Sequence, residues 1–365
     1  MTKGKKLLYP ALFTVTALIY ILLFPYETAF YTKSALSMCA ASVIPSLFLF
    51  MVFSRILAKL CSAGFMSGKI SRFFSKLFGL PVCLVPICLT GIVCGAPACT
   101  VSVCRLYSDG YCSKDDAERA CILTGNSSCA FITGVVSSTL GSRYSAAYIL
   151  ISSLASTLTV YMLLYRHSVK SSEVKVKKND FNIFDAVSDS IASSASAVLT
   201  LSAYVVFFYT VGGIVSSKIA SALQAAGLTS DYVNIARTLI CSLFEIGLGL
   251  NSVNLISGTK AILLCAIAVS FTGISIIFQV TGIMRQYGIS IKNYIFSKIL
   301  CAFLCQIYLT TILLTTPFPV SVFAYSEKSQ NQGFSVSDAA ILIFVTAVVF
   351  AAARILSHLD KKHKK

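Results

Sequence analysis

The feature that most constrains this chain is a succession of apolar runs, each about long enough to cross a hydrocarbon layer as a helix. A helical crossing takes about 20 residues. Such runs lie near 7–24, 35–54, 80–104, 120–140, 145–165, 195–217, 233–256, 261–284, 294–316 and 339–356. Of the 365 residues, 56% are hydrophobic and 12% charged, about half the charged share of an ordinary soluble domain. A soluble fold this poor in polar groups could not cover its surface, so the solvent for most of the chain is lipid. Backbone amides in lipid must be bonded within the protein, which leaves helices or a closed barrel. The runs lack the two-residue alternation of barrel strands, so the expected fold is an all-α polytopic membrane protein.

The net charge of +16 would suggest nucleic acid in a soluble protein. Here Lys and Arg sit between the apolar runs and in the tails, where they report topology and meet anionic headgroups. The lipid bilayer is the expected partner, and nucleic acid is not. Fourteen cysteines include no CxxC pair. Cys83, Cys88, Cys94, Cys99 and Cys104 recur about every five residues, a step of about 140° around a helix that spreads them over different faces. His167, His358 and His363 lie outside the apolar runs. The thiols read as packing residues in a reducing setting, and no metal or cofactor is expected. With no embedded His, P-loop or GxSxG there is no catalytic constellation, so the chain is not expected to be an enzyme.

The positive-inside rule then gives the organisation. Lys3, Lys5 and Lys6 precede the first run, and Pro25-Tyr26-Glu27 follows it in place of a small-residue cleavage pattern, so residues 1–34 read as a signal-anchor helix and an external loop. Arg55, Lys59, Lys69, Arg72 and Lys76 mark an inside loop, as do Arg166, Lys170, Lys175, Lys177 and Lys178. Three apolar runs separate these two inside loops, so one of the three must enter and leave on the same side. The basic tail at 361–365 is inside too, which poses the same puzzle for the second half, entered from the opposite face. The expected architecture is two inverted repeats with broken or re-entrant helices, at 35–165 and 191–316. They are joined by a basic cytoplasmic linker at 166–190 and followed by an external loop at 317–338 and a C-terminal helix and basic tail at 339–365. Both termini are expected on the cytoplasmic face of a cell membrane. Thr90-Gly91-Ile92 recurs as Thr272-Gly273-Ile274, and Arg105, Tyr107 and Gly110 find counterparts in Arg285, Tyr287 and Gly288.

Inverted repeats with broken helices are a transporter architecture, with the site near the midplane where the repeats meet. Four interruptions of apolar runs are candidates for it. Gly91–Pro97 holds Gly95 and Pro97, which break a helix and expose its backbone to a ligand; a plain kink is the alternative. Thr124-Gly125-Asn126-Ser127-Ser128 places Asn126, Ser127 and Ser128 in an apolar setting, suited to a polar solute, to a sodium ion or to interhelical hydrogen bonds. Glu245 is the one acid central to a long run, which suits coupling to a cation or proton, or a pair with Arg237; Asn251 and Asn254 follow it. Ser275 and Gln279, four apart after Gly273, share a helix face. Asp115, Asp116 and Glu118 beside Lys114 and Arg119 read as a solvated helix start.

These interruptions also carry a family resemblance. Cys94-Gly95-Ala96-Pro97, Asp116-Ala117-Glu118-Arg119, the Asn126-Ser127-Ser128 stretch through Phe131-Ile132-Thr133-Gly134, Glu245-Ile246-Gly247-Leu248-Gly249 and Gly273 to Gln279 follow in order. Together with Val43-Ile44-Pro45-Ser46-Leu47-Phe48 they resemble the motifs of the YlbJ sporulation integral membrane proteins, also called the SpoVV stage V sporulation family. That family carries nucleoside-recognition, or Gate, repeats related to concentrative nucleoside transporters. The chain departs from its motifs at Ala96, Cys129, Gly247 and Ile277. The resemblance implies transport of dipicolinate, a small aromatic dianion, across the mother-cell membrane around the forespore. Arg105 and Arg285 would be partners for such a dianion. A nucleoside or nucleobase transporter, and a non-transporting membrane protein of spore assembly, are the other readings.

Overall fold

A computed structural model describes residues 3–62, 69–165 and 182–316, and every regular element among them is helical. The expected external loop, the C-terminal helix and tail, and the linker from 166 to 181 lie outside the described residues.

Helix α1 spans Lys3–Leu23 and α2 spans Pro25–Met38. The chain turns by 100° where Ala11–Leu23 meets Pro25–Val43. Pro25 occupies the first turn of α2, where its missing N–H leaves nothing unpaired. The expected loop at 25–34 is therefore helix, held by Tyr31 and Ala35, which are buried. A π-helical turn, Cys39–Val43, joins α2 to α3, Ile44–Ser62. It sits just before Pro45, whose ring would clash with a carbonyl one turn earlier. The short α4, Lys69–Phe78, interleaves Arg72 and Lys76 with Phe73, Phe74 and Phe78, the pattern of a helix lying in a membrane interface.

Helices α5 (Val85–Cys94) and α6 (Ala98–Ser108) flank the first expected interruption. Helix α7 (Lys114–Leu123) is separated from α8 (Cys129–Phe131) by the second. A π-helical turn, Ile132–Val136, continues α8 into α9 (Ser137–Leu140), and α10 (Arg143–Tyr165) closes the half. The second half begins with α11 (Ile183–Ala225), capped at Asn182, whose side chain accepts from the Phe184 amide. The end of the expected linker is thus helix. At 43 residues α11 is about 64 Å long, twice the hydrocarbon thickness. Then come α12 (Ser230–Phe244), α13 (Ile246–Val253), α14 (Gly258–Phe271), α15 (Gly273–Gln286) and α16 (Lys292–Thr315). Among the described residues, Arg143–Tyr165, Ile183–Ala225, Gly258–Gln286 and Lys292–Thr315 are long and apolar enough to cross a membrane, with the bent first pair as a fifth candidate.

Two of the expected crossings fold back on themselves. Helix α13 returns along α12: the Thr238 hydroxyl donates to the Ser252 carbonyl at 3.3 Å. A β-carbon on Gly249 would lie 2.8 Å from the Ser242 Cα. In the first half, Cys83 just before α5 bonds the Tyr111 carbonyl just after α6 at 3.2 Å, so this segment also enters and leaves at one place. The re-entrant members of the two triplets are therefore α5–α6 and α12–α13. In each half a broken but extended helix follows (α7 to α9, and α14–α15), then one continuous helix (α10, and α16).

The halves run in opposite directions. Glu27 pairs with Lys218 at 2.9 Å, Thr32 meets Thr210 at 3.2 Å, and Lys59 pairs with Asp189 at 3.3 Å. As numbers rise along α2–α3 they fall along α11. Tyr161 of α10 shares one apolar core with Tyr294 of α16, and Ile149 shares the other with Leu309, so these helices are antiparallel too. The two cores draw on opposite ends of α10 and α16.

Helix α7 begins with a capping box in which Ser113 and Asp116 exchange bonds. Asp116 and Arg119 are buried and paired at 3.1 Å. The expected solvated helix start is solvated only at Lys114 and Asp115. Burial of the rest follows from Arg119 reaching the Gly79 carbonyl across the hairpin entrance.

Candidate functional site

Each interruption is a helix end that the sequence dictates, and the fold brings the ends together. At the first hairpin tip Gly95 adopts φ 72° and ψ −176°, a conformation open essentially to glycine alone. A β-carbon there would lie 2.7 Å from the Ser128 amide nitrogen. The next amide, Ala96, donates to the Asn126 carbonyl at 3.0 Å, and Pro97 opens α6. The tip is thus seated in the break of the following helix.

That break runs through Thr124–Ser128. The Thr124 hydroxyl folds back to the Ala120 carbonyl at 2.9 Å. The Asn126 side-chain oxygen accepts from the Thr157 hydroxyl of α10. Ser127 donates to the Val269 carbonyl in the last turn of α14 at 2.9 Å, which ties the first half to the second. Ser128 caps α8, accepting from the Phe131 amide at 3.1 Å. Asn126, Ser127 and Ser128 are each only 5% exposed.

Glu245 is the tip of the second hairpin. Its backbone is extended, and its carboxylate caps α13 by accepting from the Leu248 amide at 2.8 Å. It is buried. Among the described residues its carboxylate forms no ion pair, so Arg237 is not its counter-charge. Asn251 turns away to donate to the Tyr209 hydroxyl at 3.1 Å, and Asn254 is exposed.

The fourth break lies against the second tip. Thr272 sits at φ 68°, a left-handed conformation that a β-branched residue rarely adopts, and Gly273 follows at φ 67°. A β-carbon on Gly273 would lie 3.2 Å from the Glu245 Cα. The paired arrangement of the first half therefore recurs, with a hairpin tip set against a broken helix. On α15 the Gln279 amide donates to Ser275 at 3.4 Å, as their shared face requires. The Gln279 carbonyl oxygen is buried without a hydrogen-bond partner among the described residues. Arg105 and Arg285 are exposed and lie about two turns or more beyond the breaks, near the ends of α6 and α15.

One buried cation has no place in the sequence reading. Lys298, on α16, is 1% exposed and donates to the Gly125 carbonyl in the first broken helix. Its signal was a lysine inside an apolar run, but it sits near the start of that run, where a basic residue reads as an interface anchor.

Chemically, each break presents two kinds of backbone. The starts of α6, α8, α13 and α15 carry partial positive charge, with the Phe131 and Leu248 amides already capped by Ser128 and Glu245; the ends of α5, α7, α12 and α14 carry partial negative charge, with the Gly125, Asn126 and Val269 carbonyls already accepting from Lys298, Ala96 and Ser127. An irregular backbone of this kind is tolerated at membrane depth only where it is buried in protein or lines a cavity.

Long apolar helices around two re-entrant hairpins and two broken helices define a polytopic α-helical membrane protein built from two oppositely directed halves. The chain is similar to the sporulation integral membrane protein YlbJ of Bacillus subtilis (strain 168), with 23% identity over 304 residues, 74% of this chain and 73% of that protein. This similarity supports the family resemblance carried by the motifs. No family model matches the chain, and no solved structure does.

Proposed function

We propose that this chain is a secondary transporter or facilitator of a small polar anion, with its site where the four helix breaks meet. The observation that carries the reading is the seating of each hairpin tip in a broken helix, 95–97 against 126–128 and Glu245 against Gly273. Such junctions are costly in lipid and serve a permeant solute by offering backbone donors and acceptors that need no reorganisation. Asn126, Ser127, Ser128, Ser275 and Gln279 supply side-chain hydrogen bonds, Gly95 and Pro97 supply backbone released from the helix ladder, and Glu245 binds the coupling cation or proton. The half-helix amino ends favour an anion.

The similarity to a sporulation integral membrane protein supports a membrane role in sporulation; dipicolinate as the solute and the mother-cell membrane as the place are what the motif resemblance implies, and we adopt them as part of the proposal. The test is uptake into sealed vesicles carrying the purified chain. Labelled dipicolinate should enter and labelled uridine should not. Entry of uridine alone would replace the substrate with a nucleoside. Entry of neither, with dipicolinate content normal in spores of a deletion strain, would end the transport reading.

A further inference from the structure

The most unusual group in the molecule outside these assignments is the Lys298 ammonium. It is buried, and among the described residues no acid pairs with it. What it meets is a helix end. Helix α7 stops at Leu123, Thr124 closes it, and the Gly125 carbonyl beyond accepts from the lysine. The carboxyl end of a helix carries partial negative charge and unpaired carbonyls, so it offers a cation both a field and ligands. The site is shaped for this occupant. A β-carbon on Gly125 would lie 3.0 Å from the Lys298 nitrogen and 3.0 Å from the Tyr294 ring. The Tyr294 ring centroid is 5.5 Å from that nitrogen, a further cation-stabilising contact. The Tyr294 hydroxyl is itself buried without a hydrogen-bond partner among the described residues.

In broken-helix transporters the exposed carbonyls of an unwound helix are the usual seat of a coupling cation. We infer that in this chain Lys298 is a built-in cation at the break of α7, so that the first half needs no metal ion there and its break is held permanently in the cation-bound form. The charge is fixed to α16 of the opposite half, which ties the first broken helix to the second repeat. The inference deepens the transport reading and rests on it for its meaning, yet its test does not require that any solute move.

The experiment compares thermal melting of the purified full chain in sodium chloride, ethylammonium chloride and N-methylglucamine chloride at equal ionic strength. In a Glu245→Gln background, which silences the proposed coupling site, the chain with Lys298 intact should melt at one temperature in all three. Lys298→Ala vacates the seat, and small cations should then raise its melting temperature by about 2–4 °C over N-methylglucamine, saturably with concentration. Lys298→Ser, small and neutral, likewise leaves the Gly125 carbonyl open, so it stands in where the alanine variant fails to fold and should show the same acquired response. A sodium-dependent shift in that background with Lys298 intact would overturn the inference, as would a Lys298→Ser protein indifferent to all three cations. Absent solute uptake by the wild type beside an acquired cation response would refute the transport reading alone.

Discussion

Replacing Gly95 by alanine tests the seating of the first hairpin tip in the first broken helix. Gly95 holds φ 72° and ψ −176°, and forcing a side chain into that region costs about 1–3 kcal/mol. The new methyl group would also lie 2.7 Å from the Ser128 amide nitrogen, so the tip must withdraw. Withdrawal gives up the bond from Ala96 to the Asn126 carbonyl, about 0.5–1.5 kcal/mol. Together these amount to about 2–4 kcal/mol, or about thirty- to several-hundred-fold in the population of the seated tip. Gly110→Ala is the control. It has a similar φ of 79°, but no atom lies within 4 Å of its added β-carbon, so it pays only the conformational term of about 1–2 kcal/mol. Melting of the purified proteins and dipicolinate uptake into vesicles are the readouts. Gly95→Ala should melt lower than Gly110→Ala and lose uptake, while Gly110→Ala keeps it. Equal melting and equal uptake in the two variants would refute the seating.

Glu245→Ala removes the cap from the Leu248 amide and should cost about 0.5–2 kcal/mol in melting; Glu245→Gln should cost less yet still abolish cation- or proton-driven uptake, and coupled uptake retained in the glutamine variant would reduce Glu245 to a cap. Asp116→Ala leaves Arg119 buried without its carboxylate and should destabilise the chain by about 3–5 kcal/mol, read by thermal or denaturant unfolding. Thr32→Cys with Thr210→Cys, in a background without the native cysteines, should form a disulfide on mild oxidation, because the two hydroxyl oxygens are 3.2 Å apart; failure to cross-link would contradict the antiparallel pairing of α2 and α11.

Much of this arrangement was legible before any coordinates because lipid makes polar groups conspicuous. Asn126, Glu245 and Gln279 each stand in apolar runs, where only a helix break or a partner excuses them. The parity of basic loops required one re-entrant segment in each half, but charge alone could not choose among three apolar runs of similar length. The choice lay in packing that hydropathy does not encode, such as Gly249 against Ser242. The sequence echoes were only partly equivalent. Gly91 packs against Thr124 inside the first hairpin, whereas Thr272 and Gly273 are themselves a break, so those two motifs occupy different places in their halves. The ends of α6 and α15 do match in kind: Tyr111 bonds the Leu106 carbonyl and Ile289 the Met284 carbonyl, the same closing turn after Gly110 and Gly288. Pro25 read as a loop because proline breaks helices, yet at a first turn it starts one. Lys298 escaped because a lysine near the start of an apolar run is ordinary in a membrane helix; its burial comes from the packing of α16 against the end of α7.

Everything above depends on α12 and α13 turning back at Glu245 and not continuing across the bilayer. Single cysteines at Thr229 and Ser257, just before α12 and just before α14, measure this directly when probed with a membrane-impermeant maleimide in sealed vesicles of one orientation. Both positions should label from the same side. Labelling from opposite sides would make the segment a simple crossing and dissolve the second tip on which the site is built.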